Sequence, residues 1–123
     1  MFESMTSSEI VRGVAPADIE AFAGAAVDGA WAVRRCGKIV AACGRIAMDD
    51  GREWVWLDTG KNAPDFATGR MAKLYMDWRK ARGATELFTT RDAGLPTSKR
   101  FLEWLGFSFF ETAEDDEVWV WRL

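Results

Sequence analysis

Short runs rich in β-branched and aromatic residues predict seven strands in this chain of 123 residues. These runs cover residues 9–14, 30–36, 39–48, 53–58, 86–90, 107–112 and 117–123. Gly37-Lys38 separates the second run from the third, and a glycine at the first turn position indicates a type II′ hairpin. We therefore expect residues 30–58 to form an antiparallel meander.

Three helices are expected between these strands. The first follows Pro16 and covers residues 15–26, with acidic residues in its first turn. The second carries Met71, Leu74, Tyr75 and Trp78 at helical spacing, after a loop predicted for residues 60–69. The third is capped by Thr97 or Ser98 and ends at Gly106.

The resulting order is β-α-β-β-β-α-β-α-β-β. Its central strand-helix-strand unit implies a parallel pair of strands, with antiparallel strands on both sides. The sequence therefore predicts one α/β domain over residues 9–123, built on a mixed sheet with helices on its faces. Residues 1–8 are expected to be disordered.

The composition indicates the class of protein to which this chain belongs, that of globular proteins. The chain is 49% hydrophobic and 28% charged, as globular proteins usually are, and its net charge of −3 is atypical of a nucleic-acid binder. No apolar run approaches the ~20 residues of a membrane helix, and the N-terminus lacks the features of a signal peptide. A cytoplasmic protein without nucleic-acid or membrane partners is expected.

The chain has no histidine, which excludes Ser-His and Cys-His catalysis and His-ligated metal sites. Its two cysteines are too few for a cysteine-only zinc site, so no metal is expected. The predicted hairpin register places Cys36 opposite Ile39 and Cys43 opposite Ala32, too far apart for a disulfide. Both cysteines are expected to be reduced and buried.

Seven tryptophans are an unusually large number. Trp54 and Trp56 share one face of their strand, as do Trp119 and Trp121 of theirs. We expect these faces to be buried in the core; an exposed tryptophan face would instead mark a partner surface or a ligand groove.

Three segments resemble the GNAT superfamily of N-acetyltransferases, in the order in which that family carries them. They are VRGVAPADIEAF (residues 11–22), RGATEL (82–87) and RFLEWLGF (100–107). The resemblance extends over nearly the whole chain and implies a GNAT-like fold that binds acetyl-CoA between the fourth and fifth strands. It also implies direct transfer of the acetyl group to an amine, which the sequence does not identify.

In that family the diphosphate of acetyl-CoA lies against backbone N–H groups at the start of the central helix. The resemblance assigns this role to Ala67, Thr68, Gly69, Arg70 and Met71, with Arg70 or Lys61 pairing with the phosphates. Aligned without gaps from Arg82-Gly83, the family's three key positions fall on residues 63, 66 and 68. The alternative is an ordinary helix start with a solvated arginine.

Catalysis in this family needs a base for the amine proton and an acid for the leaving thiolate. Members commonly carry a tyrosine as the acid in the last helix, where this chain has Leu102, and Leu95 replaces an asparagine that often precedes that helix. The one tyrosine, Tyr75, is expected in the core. The candidate bases are Asp58, Glu53 and Asp92, of which Asp58 is best placed; the alternative for Asp58 is a solvated carboxylate at a strand end.

The chain also resembles small GNAT-like proteins of tailed bacteriophages, including internal virion proteins, in its GRM helix entry and its RFL last helix. Two functions follow from the resemblances. One is an acetyl-CoA-dependent N-acetyltransferase. The other is an inactive GNAT-fold phage protein, packaged in a virion or bound to a host partner.

Overall fold

The computed structural model describes residues 8–25, 27–48, 50–60, 63–91 and 94–123. Among these residues, no helix is both long and apolar enough to cross a membrane. The elements follow the predicted order. They are β1 (Ser8–Val11), α1 (Pro16–Ala23), β2 (Trp31–Arg35), β3 (Lys38–Ala47), β4 (Glu53–Thr59), α2 (Asp65–Ala81), β5 (Glu86–Arg91), α3 (Pro96–Leu105), β6 (Ser108–Ala113) and β7 (Asp116–Arg122).

The strands form one mixed sheet with the order β1-β2-β3-β4-β5-β7-β6. Strands β4 and β5 are parallel, as predicted, because α2 connects them. The pairs β1–β2, β2–β3, β5–β7 and β6–β7 are antiparallel. The predicted fold class, an α/β protein with a mixed sheet, is therefore confirmed.

The turn between β2 and β3 lies one residue earlier than predicted. Arg35 pairs with Lys38, so Cys36 and Gly37 occupy the turn, with φ values of 53° and 74°. Two positive φ values favour the twist of a tight hairpin, which explains why this turn replaces the predicted one. A bulge between Val33 and Arg34 also shifts the pairing by one residue, so Cys43 lies opposite Trp31 and the predicted register was wrong.

The two cysteines lie in different environments. Neither forms a disulfide bond, as predicted. Cys43 is buried, and burial raises the pKa of its thiol well above the ordinary value. Cys36 is exposed, because it lies in the hairpin turn, so the prediction that it is buried was wrong.

Three helix boundaries also differ from the predictions. Helix α3 begins at Pro96 with Leu95 at its N-cap, so the predicted cap at Thr97 or Ser98 was wrong. Helix α1 ends at Ala23, where Gly24 adopts a φ of 86° and donates its N–H to the Glu20 carbonyl. Helix α2 begins at Asp65, so the predicted loop over residues 60–69 was wrong in its second half. Ser8 belongs to β1, although it was expected to be disordered; residues 1–7 lie outside the described residues, and the single domain stays a prediction.

Contacts between residues divide the chain into two units, and the first comprises Met1–Arg45 and Leu57–Tyr75. Its core includes the fully buried Ile19, Val33 and Met71. Tyr75 is 3% exposed, and its ring meets that of Trp31 edge-on with 5.4 Å between centroids. The prediction that Tyr75 is a core residue is confirmed.

The second unit comprises Ile46–Trp56 and Met76–Leu123. One face of its strands buries Phe88, Val118 and Val120, with Trp54 and Phe110 packed partly buried against them. Trp119 and Trp121 alternate with these valines along β7 and are also buried. Core burial is thus confirmed for Trp119 and Trp121, whereas Trp54 and Trp56 are only partly buried.

A side-chain hydrogen bond joins the two parallel strands within this second unit. Trp54 of β4 lies opposite Phe88 of β5. One residue further along each strand, the Thr89 hydroxyl donates to the Val55 carbonyl at 2.9 Å. Thr89 is 8% exposed, so this bond is shielded from water.

We expect Thr89→Val to lower the free energy of unfolding by about 1–2 kcal/mol, because it removes a shielded donor from the Val55 carbonyl. Thr90→Val is the matched control, since Thr90 is exposed, and its effect should stay within about 0.5 kcal/mol. Urea unfolding of both variants measures the difference. Equal stabilities of the two variants would show that the Thr89 bond contributes nothing.

Candidate functional site

The first turn of α2 carries backbone N–H groups that the helix itself does not use. The Thr68 N–H donates to the Pro64 carbonyl at 3.0 Å and so closes the first helical turn. The N–H groups of Asp65, Phe66 and Ala67 precede this bond and have no acceptor within the helix. Three adjacent donors at a positive helix end form a site of the kind that binds anions.

The predicted cofactor residues are distributed over two turns of this helix. Of the five assigned to the helix start, Ala67 alone contributes an N–H of the first turn. The Thr68 N–H is used by Pro64, and the N–H groups of residues 69–71 belong to the second turn, where the helix supplies their acceptors. The remaining predicted cofactor residue, Lys61, lies outside the described residues.

The side chains of these residues point in different directions. Met71 is fully buried, and Thr68 is 6% exposed. Among the described residues, the buried Thr68 hydroxyl has no hydrogen-bond partner. Ala67 and Arg70 instead line a cleft of about 500 Å³ within the first unit. The structure therefore separates the predicted residues into a buried pair and a pair facing this cleft.

Asp65 and Phe66 belong to the first turn but were not among the residues predicted to hold the diphosphate, although the gap-free alignment places one key position on Phe66. The signal was Pro64-Asp65, since a proline followed by an acidic residue is typical of a helix start. The Asp65 carboxylate interacts favourably with the helix dipole and opposes a bound anion. Phe66 is 82% exposed, so its ring borders any ligand that approaches these N–H groups.

The candidate bases differ in their partners. Glu53 accepts two hydrogen bonds from Arg79, at 2.9 and 2.7 Å, so its carboxylate is held in an ion pair. Asp58 is partly buried near the end of β4 and has no hydrogen bond or ion pair with another described residue. Asp92 lies outside the described residues. Of the two described candidates, Asp58 is therefore the one whose carboxylate has no partner among the described residues.

No tyrosine of this chain occupies the position of the family's catalytic acid. Leu102 is 8% exposed within α3, so an apolar side chain fills that position. Tyr75 is enclosed in the core of the first unit, against Trp31. Leu95, which stands where an asparagine often precedes the last helix, is 56% exposed. None of these three side chains can serve as a proton donor at the surface.

A second group of polar side chains stabilises the end of β5. Arg91 donates to the Ser98 hydroxyl and to Glu117, each at 2.9 Å. The Trp119 indole N–H also donates to Glu117 at 2.9 Å. The Trp119 hydrogen bond, and then the Arg91 hydrogen bond, lower the pKa of Glu117. Arg91 and Glu117 therefore form an ion pair with each other.

The described side chains form no group that could hold a metal ion. No three or more of their cysteine, aspartate and glutamate residues lie close enough together to hold a metal ion. The chain has no histidine that could add a ligand.

Solved structures provide the comparison with known proteins, since no protein-family model and no curated protein matches the sequence. An acetyltransferase of the GNAT family from Streptococcus pneumoniae is 12% identical, with a TM-score of 0.75 over 95% of this chain and 99% of that chain. For yncA from Salmonella typhimurium, solved with its cofactor acetyl-CoA, the identity is 11% and the TM-score 0.73, over 95% and 94% of the two chains. For an IAA acetyltransferase from Bacillus cereus, the identity is 8% and the TM-score 0.71, over 95% of this chain and 100% of that chain.

These likenesses extend over nearly the whole of each chain, whereas the sequence identities are too low to carry an activity. They agree with the order of elements and with the parallel pair β4–β5. The chain therefore has the fold of the GNAT acetyltransferases.

Proposed function

We propose that this protein binds acetyl-CoA and transfers its acetyl group to an amine. The observation that carries the proposal is the first turn of α2, which presents three N–H groups that the helix itself does not use, in a chain with the GNAT fold. A related structure, yncA, holds acetyl-CoA as its cofactor. The acceptor amine and any protein partner stay open.

The residues of this first turn suit a diphosphate. The N–H groups of Asp65, Phe66 and Ala67 would donate to its oxygens, and the helix dipole would favour its charge. The buried Thr68 side chain points inward, so it would support the turn and would not reach the diphosphate. Arg70 and Lys61 remain the proposed cations, and Met71, which is fully buried, would support the turn by packing. These donors offset the unfavourable charge of Asp65.

Acetyl-CoA supplies an activated thioester. In the proposed step the amine nitrogen forms a bond to the thioester carbonyl carbon, the carbon–sulfur bond breaks, and CoA leaves as a thiolate. Asp58 takes the proton from the amine. Because Leu102 replaces the family's tyrosine, the thiolate would take its proton from water. A thiol pKa of about 8.5 makes this leaving group tolerable near neutral pH.

Acetyl-CoA binding tests the proposed diphosphate site. Gly69 lies one turn beyond Asp65 on the same side of α2, so a carboxylate there would repel the diphosphate. We expect micromolar binding by calorimetric titration, weakened roughly tenfold by Gly69→Glu. Gly69→Gln adds nearly the same bulk without the charge, so it should retain an affinity close to that of the unaltered protein.

Equal acetyl-CoA affinities of the Gly69→Glu and Gly69→Gln variants would show that the diphosphate does not bind at the start of α2. The absence of binding at millimolar acetyl-CoA would exclude the transferase function altogether. The protein would then be a GNAT-fold protein that acts through its surface, which is the alternative that Leu102 favours. Its phage origin rests on the sequence resemblance alone.

Substitution of the proposed base tests the chemistry separately from binding. We expect Asp58→Asn to reduce acetyl transfer at least about tenfold, because an amide cannot take the amine proton, while acetyl-CoA affinity stays nearly unchanged. Asp115→Asn is the control, since Asp115 is an exposed turn residue between β6 and β7. The measurement is release of CoA with a panel of amines, and unchanged turnover in Asp58→Asn would remove Asp58 from the mechanism.

A further inference from the structure

The cleft of about 500 Å³ in the first unit lies between β1 and the beginning of α2. Its volume is within the range of small-molecule sites, roughly 300–1,000 Å³. Alternate residues of β1 form one wall, and one side of the first turns of α2 forms the other. The lining residues are Ser8, Ile10 and Arg12 on the first wall, and Pro64, Phe66, Ala67, Arg70 and Leu74 on the second.

The lining combines apolar surface with positive charge. Among the described lining residues, every side chain apart from Ser8 and the two arginines is apolar, and none is a carboxylate. Glu9, the acidic residue of β1, alternates with Ser8 and Ile10 and so lies on the opposite face of the strand. Within the described parts of the chain, Arg12 and Arg70 form no ion pair or hydrogen bond. Among the described residues, therefore, nothing in the cleft neutralises these two positive charges.

The position of Arg12 is fixed by an aromatic ring. Its guanidinium carbon lies 4.5 Å from the centroid of the Trp31 ring, and Trp31 is 2% exposed. Stacking of this kind is a favourable cation–π interaction that holds the guanidinium plane while its N–H groups remain available. Arg12 is thus oriented before any ligand arrives, which reduces the entropy that binding would cost.

Phe66 and Leu74 provide the apolar part of the site. Both lie on the side of α2 that carries Arg70, whereas Met71 and Tyr75 on the adjacent side are buried in the core. The ring of Phe66 is 82% exposed, which is unusual for a phenylalanine in a helix. A ligand with an apolar body would remove part of this ring from water.

We propose that this cleft binds a small amphipathic organic anion, with an apolar body of about eight carbons and one carboxylate or phosphate head. The head lies between Arg12 and Arg70, since guanidinium groups bind both kinds of oxyanion through paired N–H donors. The body lies against Ile10, Phe66 and Leu74. This cleft shares Phe66, Ala67 and Arg70 with the start of α2 that acetyl-CoA is proposed to contact, but binding of the anion requires no acetyl group. Its test therefore uses the protein without acetyl-CoA.

Calorimetric titration with octanoate tests the proposal. We expect submillimolar binding, weakened roughly tenfold by the double substitution Arg12→Gln and Arg70→Gln, because both charges that hold the head are removed. Arg100→Gln is the matched control, since Arg100 is an exposed residue of α3 in the second unit, and its affinity should stay within about twofold. Circular dichroism establishes that each variant is folded.

Two further probes test the unaltered protein, so the result does not depend on the variants. Octan-1-ol has the same apolar body without the charge and should bind roughly tenfold more weakly than octanoate. Octyl phosphate should bind as well, and the ratio of the two anions identifies the preferred head. Equal affinities for octanol and octanoate, an unchanged octanoate affinity in the folded double variant, or no octanoate binding at about 10 mM would each overturn the proposal.

Discussion

The helical period of Asp65–Ala81, combined with the burial of one side of this helix, determines the whole candidate site. Met71 and Tyr75 are buried in the core of the first unit, where Tyr75 meets Trp31 edge-on. With about 3.6 residues per turn, this packing leaves no freedom in the direction of the other side chains. Thr68 must point inward, whereas Arg70 and Leu74 must face the cleft. The same register places Asp65, Phe66 and Ala67 in the first turn, with their N–H groups unused.

Most charged side chains in the second unit serve its packing. Arg79 is joined to Glu53 by two hydrogen bonds, and Arg91 to Glu117 by one. These carboxylates and guanidinium groups are therefore unavailable for a substrate. In the first unit, by contrast, Asp58, Arg12 and Arg70 have no ion pair within the described part of the structure.

The order of the elements was predictable from the sequence because its signals are local. Turn residues and runs of β-branched and aromatic residues identify strands without reference to the rest of the fold. The hairpin turn was predicted one residue too late because Cys36 adopts a positive φ, a conformation that residues other than glycine rarely adopt. The start of α2 was missed because Gly69 suggested a loop. A glycine within a helix costs only about 1 kcal/mol, which the burial of Thr68 and Met71 readily offsets.

The site itself was less predictable than the fold. The resemblance to the GNAT superfamily pointed to α2, the helix that the proposal also uses, but mostly to residues beyond its first turn. The cleft joins Arg12 with Arg70, residues that are distant in sequence and meet only after β1 and α2 have packed. Local sequence patterns do not indicate which distant residues line the same cleft.

The central claim is that acetyl-CoA binds at the first turn of α2. Titration of the 15N-labelled protein with acetyl-CoA, followed by amide NMR, tests it most directly. We expect the largest chemical-shift changes at the N–H groups of Asp65, Phe66 and Ala67. The N–H groups of residues 69–71 should show smaller changes. Saturable shifts confined to other elements, or no shifts at millimolar acetyl-CoA, would contradict it.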